Sequence, residues 1–515
     1  MNTPRRIRIA VQAAFLLLFV FLFLQTESKG NDDLGYPVKL FLDFDPLILI
    51  TTLLSAHAVA AGFLLSIIVI AVTFIFGRVF CGWICPLGTL NNMVGSLRRS
   101  KPRISPRWNT AKYLLLVFLI VSSLFGMQLA GVFDPLSLLI RSFSLAVYPA
   151  LSSATNAGLD LLYGAPNQSV NAFGEAVAAA AKKLYLPFQQ PFYEQGWFIG
   201  ILFLGVLGLN LVEQRFWCRY LCPLGALLGI FSRWSFLKRS VSEGCNECGA
   251  CTRVCVGNAT PHEKDNWKPT ECLYCRNCDD VCPKNAVSFG FGSKQPTGSL
   301  NIGRRRVVTA ALSGAVAVPL IRTVPLAKQG FHNPALVRPP GSLDEREFLQ
   351  RCVKCGECMK VCITGGLQPT LMEAGLEGIW SPVLVPKIGY CEYRCTLCGQ
   401  VCPTGAIKRL TIQEKEQVSI GTAMIDKGRC LPYAHSTPCI VCEEVCPTGK
   451  KAIWLEEVTV RDADGNVITV KQPHIDLKTC IGCGICETKC PVIDRPAIYV
   501  TSIGETRSKT NKLLL

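Results

Sequence analysis

Residues Cys272-Leu273-Tyr274-Cys275-Arg276-Asn277-Cys278-Asp279-Asp280-Val281-Cys282-Pro283 decide what this chain folds around. The first three cysteines are separated by two residues each, the fourth by three, and a proline closes the run. The same C-x2-C-x2-C-x3-C spacing recurs at Cys245-Cys248-Cys251-Cys255, Cys352-Cys355-Cys358-Cys362 and Cys480-Cys483-Cys486-Cys490. Two more quartets, Cys391-Cys395-Cys398-Cys402 and Cys430-Cys439-Cys442-Cys446, lengthen only the first gap. Proline follows four of the six, at Pro283, Pro403, Pro447 and Pro491.

A loop this tight presents three thiolates to three corners of a cubane, and the fourth corner is met by the last cysteine of a partner motif. That is the bacterial ferredoxin spacing. Structural zinc sites use two close pairs rather than a triplet plus one. Disulfides fail because cysteines so close in one loop cannot all pair with good geometry. Six [4Fe–4S] clusters are therefore expected, with 24 of the 28 cysteines as ligands. In residues 240–292 the exchange rule joins Cys245, Cys248 and Cys251 to Cys282, and Cys272, Cys275 and Cys278 to Cys255. For the four later motifs a nested scheme is expected, second with third and first with fourth, with sequential pairing as the alternative.

Half of the 515 residues are hydrophobic, and the mean hydropathy is +0.32, which places the chain among membrane proteins. A net charge of +16 does not point to nucleic acid, because the basic clusters lie beside apolar runs. Examples are Arg5-Arg6-Ile7-Arg8, residues 98–103 and Arg304-Arg305-Arg306. That placement is a positive-inside signal. Apolar runs at Ile9–Gln25, Ala58–Phe80, Tyr113–Val132 and Trp197–Val212 predict four spans. No small-residue cleavage site follows the first run, which reads as an anchor with its N-terminus in the cytoplasm. The connection from Phe133 to Gly196 then falls outside, with short helices such as Asn171–Leu184. A fifth run, Val307–Ile321, is marginal for a span.

The first half repeats itself. Phe44-Asp45-Pro46-Leu47 precedes the second span and Phe133-Asp134-Pro135-Leu136 follows the third. The second span ends in Arg78-Val79-Phe80-Cys81-Gly82-Trp83-Ile84-Cys85-Pro86-Leu87-Gly88, and the fourth in Arg215-Phe216-Trp217-Cys218-Arg219-Tyr220-Leu221-Cys222-Pro223-Leu224-Gly225. Two helix pairs of the same direction form a parallel repeat. It carries the remaining cysteines, Cys81, Cys85, Cys218 and Cys222, at expected cytoplasmic helix ends. Converging on the repeat axis, they are candidate metal or redox thiols; buried structural cysteine is the plain alternative. Asp-Pro is an ordinary helix start. Asp45 and Asp134, expected near the outer face, are also candidate acceptors of quinol protons. His57 is alone among the expected spans, so no haem is expected.

Residues 1–292 resemble the NapH family in their four spans, two C-x3-C-P-L-G motifs and two-cluster domain. Residues 301–515 resemble the ferredoxin-type proteins NapG and MauM, so the chain is similar to a NapH–NapG fusion. NosR and CcoG-type proteins share similar C-x3-C-P motifs. The resemblance implies a quinol dehydrogenase component of respiration, without covalent substrate chemistry. Its partners would be the membrane quinone pool and a periplasmic reductase or cytochrome c acceptor, nitrate reductase in the best-known setting. A reductase serving copper-enzyme maturation is the alternative. The segment Asn301-Ile302-Gly303-Arg304-Arg305-Arg306-Val307-Val308 departs from the family because its twin arginine is internal.

The expected architecture is an α-helical membrane domain of four spans, with a fifth at 307–321, plus α+β bacterial ferredoxin-like domains. Its parts are the membrane domain 1–239, a cytoplasmic two-cluster domain 240–292, a linker 293–339, and a periplasmic four-cluster domain 340–515. The location expected is the bacterial cytoplasmic membrane.

Overall fold

A computed structural model describes residues 3–28, 30, 32–58, 61–97, 106–164, 168–187, 189–260, 267–292, 302–322, 333–461 and 467–512. The basic cluster at 98–103 and most of the expected Gly/Ser/Pro linker, 293–301, lie outside these residues. The chain divides into two units.

The first unit comprises Met1–Gln25, Tyr36–Ser142 and Phe198–Leu320. Its longest described helix is Thr3–Gln25. Asp45 starts the helix Pro46–Ala56, accepting hydrogen bonds from the amides of Leu47 (2.8 Å) and Ile48 (3.3 Å), with Pro46 at the first turn. His57 stops it in the left-handed conformation. Helices Ser66–Phe76 and Gly196–Val212 each lead to a single π-turn, Phe80–Ile84 and Trp217–Leu221. Each turn is followed by a helix that starts on the Cys-Pro proline, Pro86–Ser96 and Pro223–Ser232. The helix Pro223–Ser232 packs on Ser66–Phe76 and on Ala111–Leu124. The stretch holding the first two cysteine quartets is closed by an antiparallel ribbon, Leu237–Val241 against Val287–Phe291, in register from Leu237↔Phe291 to Val241↔Val287.

Among the described residues, two helices are long and apolar enough to cross a membrane, Arg5–Gln25 and Pro135–Tyr163. The expected second, third and fourth spans become shorter apolar helices, Gly62–Phe76, Trp108–Leu124 and Gly196–Val212. Local breaks cut the first two: Gly77 (φ 73°) ends one and the turn at Gly126 (φ 75°) follows the other. The helix Pro135–Tyr163 is a correction, since its stretch was expected to hold only short helices. Arg141 and scattered serines interrupt its apolar run and hide its length. The short helix expected at 171–184 is present as Gln168–Leu184. The fifth run forms the helix Arg304–Arg322. A Cβ on its Gly314 would lie 2.7 Å from the carbonyl oxygen of Phe118, so the two backbones meet there. Val308, Leu312, Val316 and Leu320 form an exposed stripe along it.

The second unit comprises Thr26–Gly35, Phe143–Trp197 and Ile321–Leu515. Its cysteine-motif region holds one-turn helices among two-stranded sheets. These pair Leu367–Pro369 with Pro382–Leu384, Thr422–Ile425 with Ile498–Thr501, and Ile453–Arg461 with Val467–Ile475. The two preceding segments are built into it by hydrogen bonds. Lys360 Nζ donates to the carbonyl of Thr26 (2.6 Å), and Asp32 accepts from the amide (2.7 Å) and hydroxyl (2.6 Å) of Thr396. The Tyr193 hydroxyl donates to the carbonyl of Met359 (3.0 Å).

Candidate functional site

The backbone around the cysteines explains why the spacing works. In all four undeviating motifs the second cysteine sits between two left-handed residues. These are Glu247 and Gly249, Tyr274 and Arg276, Lys354 and Gly356, and Gly482 and Gly484. Such reversals turn successive amides and side chains toward one centre. Glycine is required where space is short: a Cβ on Gly484 would lie 2.7 Å from Pro386. The two motifs with a longer first gap lack these flanking residues among the described positive-φ residues. Their extra length reaches the same centre without them.

Four cavities in the second unit give the ligand sets. Cys352, Cys355, Cys358 and Cys402 line one of about 370 Å³, and Cys391, Cys395, Cys398 and Cys362 one of about 420 Å³. Cys430, Cys439, Cys442 and Cys490 line one of about 400 Å³, and Cys480, Cys483, Cys486 and Cys446 one of about 330 Å³. Pairing is therefore sequential, first with second and third with fourth, and the nested scheme is wrong. The one-turn helices that carry each chain from third to fourth cysteine decide this. Glu357–Lys360 packs on Leu397–Gln400, and Val441–Glu444 packs on Ile485–Thr488. In the first unit Ala250–Arg253 packs on Asn277–Asp280 in the same way. There Cys255 lies with Cys272, Cys275 and Cys278, as the exchange rule expects, and Cys282 packs against the cluster of Cys251, Cys278 and Val287.

Amides stabilise the fourth sulfurs. Ala259 donates to Cys255 Sγ (3.3 Å), Ala286 to Cys282 Sγ (3.3 Å) and Ile407 to Cys402 Sγ (3.4 Å). Burial pushes the free thiols of Cys395 and Cys483 up to about 12 and that of Cys430 to about 11. Metal binding must therefore displace protons. Among the described residues no three His, Cys, Asp or Glu side chains close on one point as the ligands of a single ion do. Four thiols ringing each cavity, with amides aimed at sulfur, fit [4Fe–4S] clusters.

The four remaining cysteines do converge. Cys81, Cys85, Cys218 and Cys222 line one cavity of about 310 Å³ with Arg78 and Pro135. Each π-turn spaces the two cysteines of its motif, and Cys85 and Cys222 cap the helices that begin on Pro86 and Pro223. Cys222 Sγ accepts from the amide of Gly225 (3.2 Å). Asn91 Nδ2 lies 3.7 Å from Cys218 Sγ, and the Asn91 oxygen is held by Asn210 (2.7 Å).

The loop 269–274, which carries Cys272, is fastened beside this cavity. Arg78 Nη1 donates to the carbonyl of Thr270 (2.7 Å) and Trp83 Nε1 to that of Tyr274 (3.0 Å). Buried Glu271 pairs with Lys112 (2.5 Å) and accepts from the Tyr113 hydroxyl (2.8 Å). A Cβ on Gly82 would lie 2.2 Å from the carbonyl oxygen of Leu273, so only glycine permits this approach.

Asp45 and Asp134 cap their helices as expected, Asp134 Oδ2 accepting from the amides of Leu136 (3.0 Å) and Ser137 (2.7 Å). Both are fully buried, Pro135 lines the thiol cavity, and Asp134 lies within electrostatic range of Cys85. The two carboxyls lie within electrostatic range of each other, and like charges so placed and buried disfavour double ionisation. Residue-by-residue reading missed Arg78, Arg215, Asn91 and the Lys112–Glu271 pair. Arg78 and Arg215 had a signal: each stands three residues before the first cysteine of its C-x3-C-P motif.

The family described as a 4Fe-4S binding domain matches residues 59–105 and 195–242. Each matched segment holds one C-x3-C-P motif and none of the six quartets. The ferredoxin-type protein NapG of Escherichia coli is 33% identical over 174 residues, covering 33% of this chain and 71% of that protein. The methylamine utilization ferredoxin-type protein MauM of Methylorubrum extorquens is 37% identical over 168 residues, covering 32% and 71%. The ferredoxin-type protein NapH of Haemophilus influenzae is 28% identical over 284 residues, covering 51% and 79%. No solved structure matches the chain.

Proposed function

The chain belongs to the family of ferredoxin-type proteins that includes NapG and MauM, and on that footing we propose that it is a membrane quinol dehydrogenase component feeding a periplasmic acceptor. Iron–sulfur electron transfer is the common ground of its relatives. The observation that carries the finer reading is the first unit, where a buried carboxyl pair, a four-thiol cavity and the loop bearing Cys272 adjoin. Quinol oxidation releases electrons and protons together, and such a site has groups for both.

The 24 quartet cysteines would hold six [4Fe–4S] clusters, which supply one-electron carriers when bound. Asp45 and Asp134 would hold and pass on a proton. Lys112, Glu271 and Arg78 fix the loop that brings Cys272 to the cavity. Membrane insertion through several spans, including Arg304–Arg322, is supported by exposed apolar side chains such as Leu17, Phe21, Ile67, Ile201, Leu204 and Leu312. An outer location for residues 340–515 is supported by the membership of the second unit. It includes Thr26–Gly35, a segment that the positive-inside pattern puts outside.

The test is to purify the protein anaerobically in nanodiscs, add a reduced menaquinol analogue and follow the cluster absorbance. Bleaching by quinol is expected. No bleaching, with clusters still reducible by dithionite, would overturn quinol as donor and favour a protein donor or the metalloenzyme-maturation role. Digestion of residues 340–515 by protease added to the outer face tests the topology.

A further inference from the structure

We propose that Arg8, on the helix Thr3–Gln25, is a buried countercharge for the [4Fe–4S] cluster on Cys272, Cys275, Cys278 and Cys255, and that it raises the midpoint potential of that cluster. The inference rests on the reading of the quartets as cluster ligands.

In sequence Arg8 belongs to the basic run Arg5-Arg6-Ile7-Arg8, whose place beside an apolar run marks topology. The structure separates it from its neighbours. Arg6 is exposed and Arg5 half-buried, whereas Arg8 is 3% exposed. A topology signal needs charge at the membrane surface, not a guanidinium inside the protein.

Residues 5, 8 and 12 share one helix face, and the outer two fix where Arg8 lies. Arg5 Nη1 donates to Asp280 Oδ2 (3.1 Å) on the one-turn helix Asn277–Asp280, which carries Cys278. Gln12 Nε2 donates to the carbonyl of Gly82 (2.7 Å). Gly82 meets the backbone of Leu273, and Trp83 beside it holds the carbonyl of Tyr274. Arg8 stands between these two anchors, one on the Cys278 helix and one on the loop from Cys272 to Cys275.

Its charge has no other use. Arg8 Nε and Nη1 are buried with no hydrogen-bond partner among the described residues. The strongest attraction within its electrostatic range is the Cys275 thiolate. Asp280 is also in range but is paired with Arg5, and Arg5 and Arg215 repel it. A buried cation without a counterion is strongly unfavourable, and neutral thiols would leave Arg8 in that state.

A cluster held by four thiolates is anionic and becomes more so when it is reduced, so a buried cation nearby favours the reduced form. Arg8 does not ligate; it is a positioning residue that acts through its charge. Arg239 makes the contrast. It is 1% exposed, with its guanidinium 5.7 Å from the centre of the Trp267 ring. It lies within range of Cys245 and Cys251 as well as Cys272 and Cys278. Arg239 thus acts on both clusters of this stretch, and Arg8 sets one apart from the other.

The experiment uses detergent-purified holoprotein and no quinol, so it stands apart from the proposed dehydrogenase activity. Iron is counted per chain, and the clusters are titrated with dithionite under electron paramagnetic resonance. Cys275→Ala should lose about four irons and one signal, which tests the cluster reading by itself. Arg8→Gln should keep the iron and move that same signal to lower potential, and Arg8→Lys should restore most of the shift. Arg239→Gln should lower two signals. Arg8→Gln made on an Asp280→Asn background leaves less charge unbalanced, and should lower the signal by a similar step relative to Asp280→Asn alone. Midpoints unmoved by Arg8→Gln in both backgrounds, a shift in a different signal, or Arg8→Lys no better than Arg8→Gln would each overturn the proposal.

Discussion

Four cysteines come together by opposite routes at the quartet cavities of the second unit and at the C-x3-C-P cavity of the first. A quartet builds three quarters of its site locally and borrows one cysteine, so its sequence spacing nearly specifies it. A C-x3-C-P motif builds half a site, and its other half stands over 130 residues away in a repeat. Amides serve sulfurs at both, that of Ile407 at a quartet and that of Gly225 at the repeat site, and buried Arg78 also lines the repeat site. Local sites tolerate a modest scaffold; a site assembled from distant halves needs a buried framework to hold both.

The largest expected effect breaks the comparison at the borrowed ligand. Cys402→Ser should cost the cluster on Cys352, Cys355 and Cys358. Combined with Cys355→Ser it should lose no more iron than either change alone, whereas combined with Cys439→Ser the losses should add. Nested pairing requires the reverse, and iron per chain decides.

The framework of the repeat site is probed next. Lys112→Met leaves Glu271 buried without its lysine, and breaking such a pair costs about 3–5 kcal/mol. Denaturant unfolding followed at the cluster absorbance should register it. Replacing both Asp45 and Asp134 by Asn removes the titrating carboxyls but keeps side chains that can cap. Iron content should be unchanged, and bleaching by menaquinol should slow about 10²-fold. An unchanged rate would leave these residues only their capping role.

The smallest effect lies in the second unit. Burial alone would raise the Glu345 carboxyl, but Arg338 (2.6 Å) and Arg507 (2.9 Å) hold it down to about 2. A carboxyl lowered by folding stabilises fully above its ordinary value, 4.5, and loses that contribution as pH falls toward about 2. Glu345→Gln should therefore cost about 1–3 kcal/mol at pH 7, with a smaller difference from wild type at pH 3. Guanidinium unfolding at the two pH values measures this.

Spacing in the chain disclosed the six cysteine quartets and the repeated C-x3-C-P and Asp-Pro motifs, because each rests on residues a few positions apart. It also anticipated the helix at 171–184 and the cap role of Asp45 and Asp134, which are local hydrogen-bonding choices. Tertiary structure alone decided sequential against nested pairing, since that depends on which one-turn helices pack. It alone brought Pro135 and Arg78 to the thiol cavity. It also extended Pro135–Tyr163 through polar residues that hid its length. The physical reason is the same in each case: a side chain's meaning at a distance is set by what buries it, and burial is not written in the spacing.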